Sequence, residues 1–179
     1  MATDLPHARS DEPRADRVIL IGAAAGTVLG WLVFALIVGM IIGPRAAQTA
    51  DRLAYAAVWL LPIAILLFLM TMATGIGRAA TRTADPTAQP DSRYVDLSRR
   101  ILTNTVEQSL VFALGALAMA ALTPAGQLGL LGALTIIFVI ARLLFWIGYL
   151  RHPLYRYAGF VLTAEVNLVI LCWDVVHLI

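Results

Sequence analysis

Charged residues are scarce in this sequence: Asp, Glu, Lys and Arg make up only 13% of its 179 residues. Soluble domains carry about 25% charged residues, so the composition excludes an ordinary soluble domain. Lysine is absent, and all thirteen basic residues are arginine. The arginines are spread along the chain without forming a basic block and leave a net charge of only +2. Nothing therefore indicates a nucleic-acid partner.

Cysteine is scarcer still, because Cys172 stands alone in an apolar run. A single cysteine excludes a disulfide framework and a multi-cysteine metal site within the chain. The sequence also contains no zinc-binding, P-loop or dinucleotide-binding motif. These absences predict a protein without a metal cofactor.

Apolar residues are what the sequence has in abundance, at 60% of the chain and a mean hydropathy of +0.84. A membrane-spanning helix needs about 20 consecutive, mostly apolar residues. We predict an all-α integral membrane protein in which a four-helix bundle is preceded by one additional N-terminal transmembrane helix. The polar residues before that helix predict a disordered cytoplasmic tail. The tail covers residues 1–17, the extra helix 18–42 and the bundle 53–179, with its four spans at 53–75, 101–122, 129–150 and 157–179.

The placement of arginine predicts the orientation of the five spans. Ten arginines fall in the N-terminal tail, in the long connection between the second and third spans, and in the short connection before the fifth. Only Arg45 and Arg52 fall on the opposite side. Because cytoplasmic loops are enriched in basic residues, we predict a cytoplasmic N-terminus and a C-terminus on the other side of the membrane.

The first span contains Gly22, Gly26 and Gly30, spaced four residues apart. Small residues at that spacing let two helix backbones approach closely. The pattern indicates a packing partner for this helix, although glycine is also frequent in ordinary apolar spans.

The third span opens with polar residues that a membrane helix rarely carries, in the stretch "LSRRILTNTVEQSLVFALGALAMAAL". Arg100, Asn104 and Glu107 are spaced i, i+4 and i+7, which places them on one helix face. Arg142 in the fourth span and Glu165 in the fifth lie at a depth similar to that of Glu107. Charged side chains near the bilayer centre cost about 2.5–3.5 kcal/mol on insertion scales, so we expect these three to face one another or a wet cavity.

Two interpretations of this polar cluster follow. In the first, a buried arginine flanked by two carboxylates neutralises them, and the cluster is structural. In the second, the cluster is a binding site, because more polar groups converge there than one ion-pair network needs. Several arginines with one or two carboxylates suit a small zwitterion bearing more carboxylates than amines, since Arg binds carboxylates in bidentate fashion. The converging residues are Arg100, Asn104, Gln108, Tyr149 and Arg156.

Two segments, "RRILTNTVEQ" and "ARLLFWIGYLRHPLYRYAGF", resemble the MAPEG family, the membrane-associated proteins in eicosanoid and glutathione metabolism. The resemblance covers residues 53–179 and rests on an R-x-x-x-N-x-x-E core at a helix start, followed by R-x6-Y and R-x2-G-F. It implies a bacterial-type, inner-membrane member whose four family helices follow one extra helix. It also implies a homotrimer with glutathione sites between neighbouring subunits, open towards the cytoplasm.

The resemblance further implies roles for individual residues. Arg100 and Asn104 would hold carboxylate or backbone groups of glutathione, and Glu107 would take its γ-glutamyl ammonium. Arg156 would stabilise the thiolate, with Arg78 as a second catalytic arginine, because an adjacent Arg⁺ lowers the pKa of a thiol. The remaining candidates for binding glutathione are Gln108, Arg142 and Tyr149.

These expectations describe a glutathione-binding membrane protein, with transferase or peroxidase chemistry on lipophilic electrophiles from the bilayer as its candidate activity. Gln108 stands where leukotriene synthases carry tyrosine, and Phe145 where several members carry histidine or tyrosine, so catalysis is left open. The alternative is a non-catalytic membrane scaffold or accessory subunit whose polar cluster is structural and whose first helix docks a partner. A small transporter has little support, because no internal repeat is visible.

Overall fold

The computed structural model of the chain describes residues 12–43, 45, 48–81, 92–124 and 126–179. These residues form five long helices, and a short 3₁₀ turn, Pro153–Arg156, precedes the last of them. All five helices are long and apolar enough to cross a membrane, which confirms the five predicted spans. The helices are α1 (Glu12–Val38), α2 (Thr49–Ala80), α3 (Arg93–Leu122), α4 (Gly129–Arg151) and α5 (Tyr157–Leu178).

Several helices extend beyond the apolar windows that predicted them. α1 begins at Glu12, so residues 12–17 of the predicted tail are helical, while residues 1–11 lie outside the described part of the chain. α3 begins at Arg93, where the Ser92 hydroxyl accepts a hydrogen bond from the Val95 amide at 3.3 Å. This serine caps the helix, and Asp96 in the first turn complements the helix dipole.

α4 is the central helix of the bundle, because it packs against α1, α2, α3 and α5. Phe138 on α4 and Phe112 on α3 are fully buried, and their ring centroids lie 4.6 Å apart. Leucine, isoleucine and alanine side chains from α2, α4 and α5 complete this core. The bundle is therefore organised around α4, with α1 placed on the outside of α4 and α5.

The outer surface of the bundle is apolar. Phe68, Leu114 and Val28 are each more than half exposed, and many other leucine, isoleucine and valine side chains are exposed with them. Soluble monomers rarely expose continuous apolar patches larger than a few hundred Å². Together with the five spanning helices, this surface identifies a multi-pass membrane protein whose outer faces contact lipid.

Close helix contacts occur where the glycine spacing of α1 predicts them. A Cβ atom built on Gly26 would overlap the backbone of Ala158 on α5, and one on Gly30 would overlap the Leu162 side chain. At Gly22 the nearest atom would be the Ala158 nitrogen, at 3.9 Å. The predicted close packing is thus confirmed at Gly26 and Gly30, and the packing partner is α5 of the same chain.

Replacing Phe138 by alanine tests the central position of α4. The change empties a fully buried site, and we expect a loss of about 3–5 kcal/mol in the free energy of unfolding because the surrounding helices collapse only partly. Unfolding of the detergent-solubilised protein, followed by circular dichroism, measures this loss. The matched control is Phe68→Ala, because Phe68 is 61% exposed to the lipid-facing side. Equal stability losses in the two variants would contradict the assignment of α4 as the core helix.

Candidate functional site

A cleft of about 460 Å³ opens at the end of the bundle where α3 and α5 begin and α4 ends. We call it the main cleft. Its walls combine two arginines and an amide with four aromatic rings. The lining residues are Arg100, Asn104, Phe145, Tyr149, Arg156, Tyr157 and Phe160.

A second cleft of about 490 Å³ lies beside the main cleft, along the outer face of α3. We call it the side cleft. Arg100 and Asn104 line both clefts, so one ligand can contact the two at once. Glu107 is exposed and supplies a carboxylate at the end of the side cleft that lies furthest along α3. The side cleft is lined by Asp96, Arg99, Arg100, Thr103, Asn104 and Glu107.

The turn between α4 and α5 brings Arg156 to the main cleft. The ring nitrogen Nδ1 of His152 accepts a hydrogen bond from the Leu154 amide at 3.2 Å, and Pro153 opens the 3₁₀ turn. The Arg156 guanidinium carbon then lies 4.8 Å from the centroid of the Tyr149 ring and 5.2 Å from that of Tyr157. Cation–π contacts of this kind hold a positive charge in place.

Arg100 is held much more loosely. Its Nε donates a hydrogen bond to Asp96 Oδ2 at 3.0 Å, across one turn of α3, and both side chains are more than half exposed. Exposed ion pairs contribute only about 0–1 kcal/mol, so a carboxylate entering the cleft can compete for this guanidinium. The i, i+4 spacing of Asp96 and Arg100 was readable in the sequence, but sequence reasoning missed this partner.

Arg142 lies behind the wall of the cleft and is fully buried. Its Nε donates to Thr163 Oγ1 and its Nη1 donates to Asn104 Oδ1, each at 2.9 Å. Its guanidinium carbon also lies 4.5 Å from the centre of the Phe145 ring. Within the described residues, Nη2 has no hydrogen-bond partner. Arg142 therefore reaches the cleft through Asn104.

This contact fixes what Asn104 offers to a ligand. Because its Oδ1 accepts from Arg142, its Nδ2 group is the part left for the cleft, and an amide nitrogen is a donor only. Asn104 thus presents hydrogen-bond donors to carboxylate or carbonyl groups. Thr163, which holds the other side of Arg142, was not found from the sequence.

The structure separates the three charged residues that were expected to face one another or a wet cavity. Glu165 accepts hydrogen bonds from Thr27 Oγ1 at 2.7 Å and from Trp31 Nε1 at 3.0 Å, both on α1. Glu107 lines the side cleft, while Arg142 contacts neutral groups. The alternative in which all three face one another is wrong, because Glu165 lies on the face of α5 that α1 covers. Glu107 instead faces an open cleft, as the second alternative expected.

Two other candidates lie away from the main cleft. The Gln108 side chain accepts from Asn167 Nδ2 at 2.8 Å, which places it in the contact between α3 and α5. Arg78 is half-buried at the end of α2, beside Gly77, where the Tyr94 ring of α3 packs. Arg78 lies at the end of the bundle that carries the clefts, and Gln108 lies on α3, which lines them. Neither residue lines the main cleft or the side cleft itself.

The main and side clefts together suit a small, mostly anionic molecule. Arg100, Arg156 and the Asn104 amide supply cationic groups and donors, and Glu107 supplies an acceptor for an ammonium. Within the part of the chain that the structure describes, no three His, Cys, Asp or Glu side chains are grouped as metal ligands.

Comparison with known proteins gives one match. The model of the MAPEG family matches residues 56–174, well over half of the chain, from the first turns of α2 to the last turns of α5. α1 lies outside the matched segment. No curated protein and no solved structure is significantly similar to the chain.

Substitutions at Asn104 test its contact with Arg142. Asn104→Leu leaves the buried guanidinium without one acceptor, and we expect a loss of about 1.5–3 kcal/mol in the free energy of unfolding. Asn104→Asp keeps an acceptor and turns the hydrogen bond into an ion pair with Arg142, so we expect stability at or above that of the wild type. Chemical unfolding in detergent measures both changes. A leucine variant as stable as the aspartate variant would contradict the contact.

Proposed function

The chain belongs to the MAPEG family, and we propose that it binds glutathione across the main and side clefts, with the thiol beside Arg156. The observation that carries this proposal is the convergence of Arg100, Asn104 and Arg156 on one open cleft of about 460 Å³. α3 contributes two of these residues and the turn before α5 the third. The family's relation to glutathione metabolism gives the ligand.

The chemistry of the lining matches that of the tripeptide. Glutathione carries two carboxylates, one ammonium, two peptide groups and a thiol. Arg100 would bind a carboxylate, displacing its weak pairing with Asp96. The Asn104 amide would donate to a carboxylate or carbonyl oxygen, and Glu107 in the side cleft would accept from the ammonium. Arg142 would act behind them by orienting Asn104.

Arg156 would activate the thiol. A free thiol has a pKa of about 8.5, and an adjacent guanidinium lowers that pKa by stabilising the thiolate. The Tyr149 and Tyr157 rings hold the guanidinium in place, so little reorganisation is needed when the negative charge forms. The thiol proton leaves to water at the open mouth of the cleft. Arg78, carried over from the family pattern, stays a candidate second catalytic arginine.

In the transferase activity that we propose, the thiolate sulfur forms a bond to an electrophilic carbon. Either a leaving group departs with the electron pair, or the adduct takes up a proton from water. Phe145 and Phe160 form an apolar wall of the cleft, with ring centroids 6.5 Å apart. Phe160 is exposed, and these two rings give a lipophilic substrate from the bilayer an apolar surface to contact.

The assembly and orientation are part of the same proposal. The ten-to-two distribution of arginine favours a cytoplasmic position for the clefts and for the N-terminus, and an inner-membrane location. Glu107 and Arg100 are exposed on the outer face of α3, which suits a homotrimer in which a neighbouring subunit closes the side cleft.

A non-catalytic scaffold is the second candidate. The observation that favours it is the buried network of Arg142, Asn104 and Thr163, which ties α3, α4 and α5 together without any ligand. On this alternative, Arg100 and Arg156 would serve only the solubility of the bundle end, and glutathione would not bind.

A glutathione titration of the detergent-solubilised protein tests the proposal, with thiolate followed by ultraviolet difference absorbance. We expect a saturable thiolate signal at neutral pH. Arg156→Ala should remove that signal at neutral pH, because the glutathione thiol regains its free pKa. In this variant the signal should return only as the pH rises past about 8.5. Arg100→Ala and Glu107→Gln should weaken binding about 10- to 100-fold, as expected for a lost hydrogen bond to a charged group.

Arg45→Ala is the control, because Arg45 is exposed at the opposite end of the bundle, and it should leave the titration unchanged. Binding without a thiolate signal would remove the catalytic part of the proposal. Absence of binding in the wild-type protein would favour the scaffold.

A further inference from the structure

We infer that α1, the helix outside the family-matched segment, is a positioning element of the main cleft that holds the chain segment carrying Arg156. The importance of Arg156 rests on the proposed function, but the contacts that hold it do not. α1 packs against α4, α5 and the 3₁₀ turn Pro153–Arg156. It therefore touches the segment that brings Arg156 to the cleft.

The first contact is between backbones. Ala158 follows Arg156 by two residues, in the first turn of α5. A Cβ atom on Gly26 of α1 would overlap the Ala158 carbonyl oxygen, and would lie 2.8 Å from its carbonyl carbon. A backbone carbonyl does not move aside by rotating a side chain. Any change in the position of α1 is therefore passed directly to the chain next to Arg156.

α4 holds the same segment from the other side. A Cβ atom on Gly148 would lie 2.6 Å from the Tyr155 carbonyl oxygen and 3.3 Å from the Arg156 nitrogen. One on Gly159 would overlap the Ala141 carbonyl oxygen and the Phe145 nitrogen. The segment 155–159 thus lies between α1 and α4, with backbone contacts on both sides of Arg156.

Glu165 fixes the height of α1 on α5. Its carboxylate accepts hydrogen bonds from Thr27 at 2.7 Å and Trp31 at 3.0 Å, about two turns below Ala158. A carboxylate within a membrane span is costly unless it is paired, so sliding α1 along α5 would break both bonds at once. Thr27 directly follows Gly26 in sequence, so the same register places the glycine against Ala158. This assigns a role to Glu165, which the family pattern leaves without one.

The consequence for the cleft is geometric. The guanidinium of Arg156 lies against the Tyr149 ring at 4.8 Å, and this position depends on where the backbone of the turn is held. Displacement of a catalytic group by about 1 Å can lower a rate about 100-fold. Loosening α1 should therefore weaken thiol activation more than it weakens glutathione binding, since Arg100, Asn104 and Glu107 stand on α3.

The test compares Gly26→Ala with Gly22→Ala. Both changes add one methyl group to the same helix, but the new Cβ atom at Gly22 would lie 3.9 Å from the Ala158 nitrogen, an ordinary contact. Hydrogen–deuterium exchange of the full-length, detergent-solubilised protein reports on peptides covering residues 153–160. We expect faster exchange there in Gly26→Ala only. In the glutathione titration, we expect the thiol pKa of Gly26→Ala to rise towards about 8.5 with affinity changed less than tenfold.

Glu165→Ala is the second variant, because it releases α1 without placing any new atom against α5. We expect the same faster exchange over residues 153–160 and the same rise in the thiol pKa. Unchanged exchange in this variant would overturn the inference, whether or not Gly26→Ala folds. Exchange that rises equally in Gly22→Ala and Gly26→Ala would overturn it as well. If the wild type forms no thiolate, the proposed function fails, while the exchange comparison still decides whether α1 holds the Arg156 segment.

Discussion

The structure depends most on how one buried guanidinium is accommodated within a membrane-spanning helix. Arg142 is fully buried, and its two hydrogen bonds reach Asn104 on α3 and Thr163 on α5. Hydrocarbon offers no water to replace these partners, so rotating any of the three helices would strand a charge. The contact thereby sets which faces of α3, α4 and α5 meet. Because Asn104 lies on the cleft side of that contact, the requirement to satisfy Arg142 also places the wall of the cleft.

Three arginines at this end of the bundle differ in how firmly they are held. Arg142 is held by two hydrogen-bond acceptors and the Phe145 ring, Arg156 contacts two tyrosine rings, and Arg100 pairs with an exposed carboxylate. The free energy needed to recruit each to a ligand falls in the same order, since exposed pairs are weak. Arg142 orients Asn104 from within the bundle, Arg156 is fixed at the mouth of the cleft, and Arg100 on the rim can exchange its partner for a ligand. Together they form a graded electrostatic site.

Much of this arrangement was predictable from the sequence. Apolar windows gave the five spans, and the i, i+4, i+7 spacing of Arg100, Asn104 and Glu107 placed them on the face of α3 that lines the side cleft. Helix ends were less predictable, because hydropathy marks the hydrocarbon layer and the polar turns of α1 and α3 continue beyond it. The partner of Glu165 was missed since depth along a helix says nothing about its rotation. The contact between Gln108 and Asn167 was not predicted, because depth along α3 does not say which neighbouring helix a residue faces.

The contact between α1 and α5 has a consequence for how the chain folds. Glu165 is separated from Thr27 and Trp31 by 138 and 134 residues, so α1 and α5 can meet only after the helices between them have been synthesised. Contacts between distant parts of a chain form slowly, because loop closure precedes any stabilisation. α1 is synthesised before the other four described helices, and Thr27 and Trp31 cannot donate to Glu165 until α5 has been made. A nascent chain that stalls before α5 is complete would therefore lack the α1 contacts that hold the turn carrying Arg156.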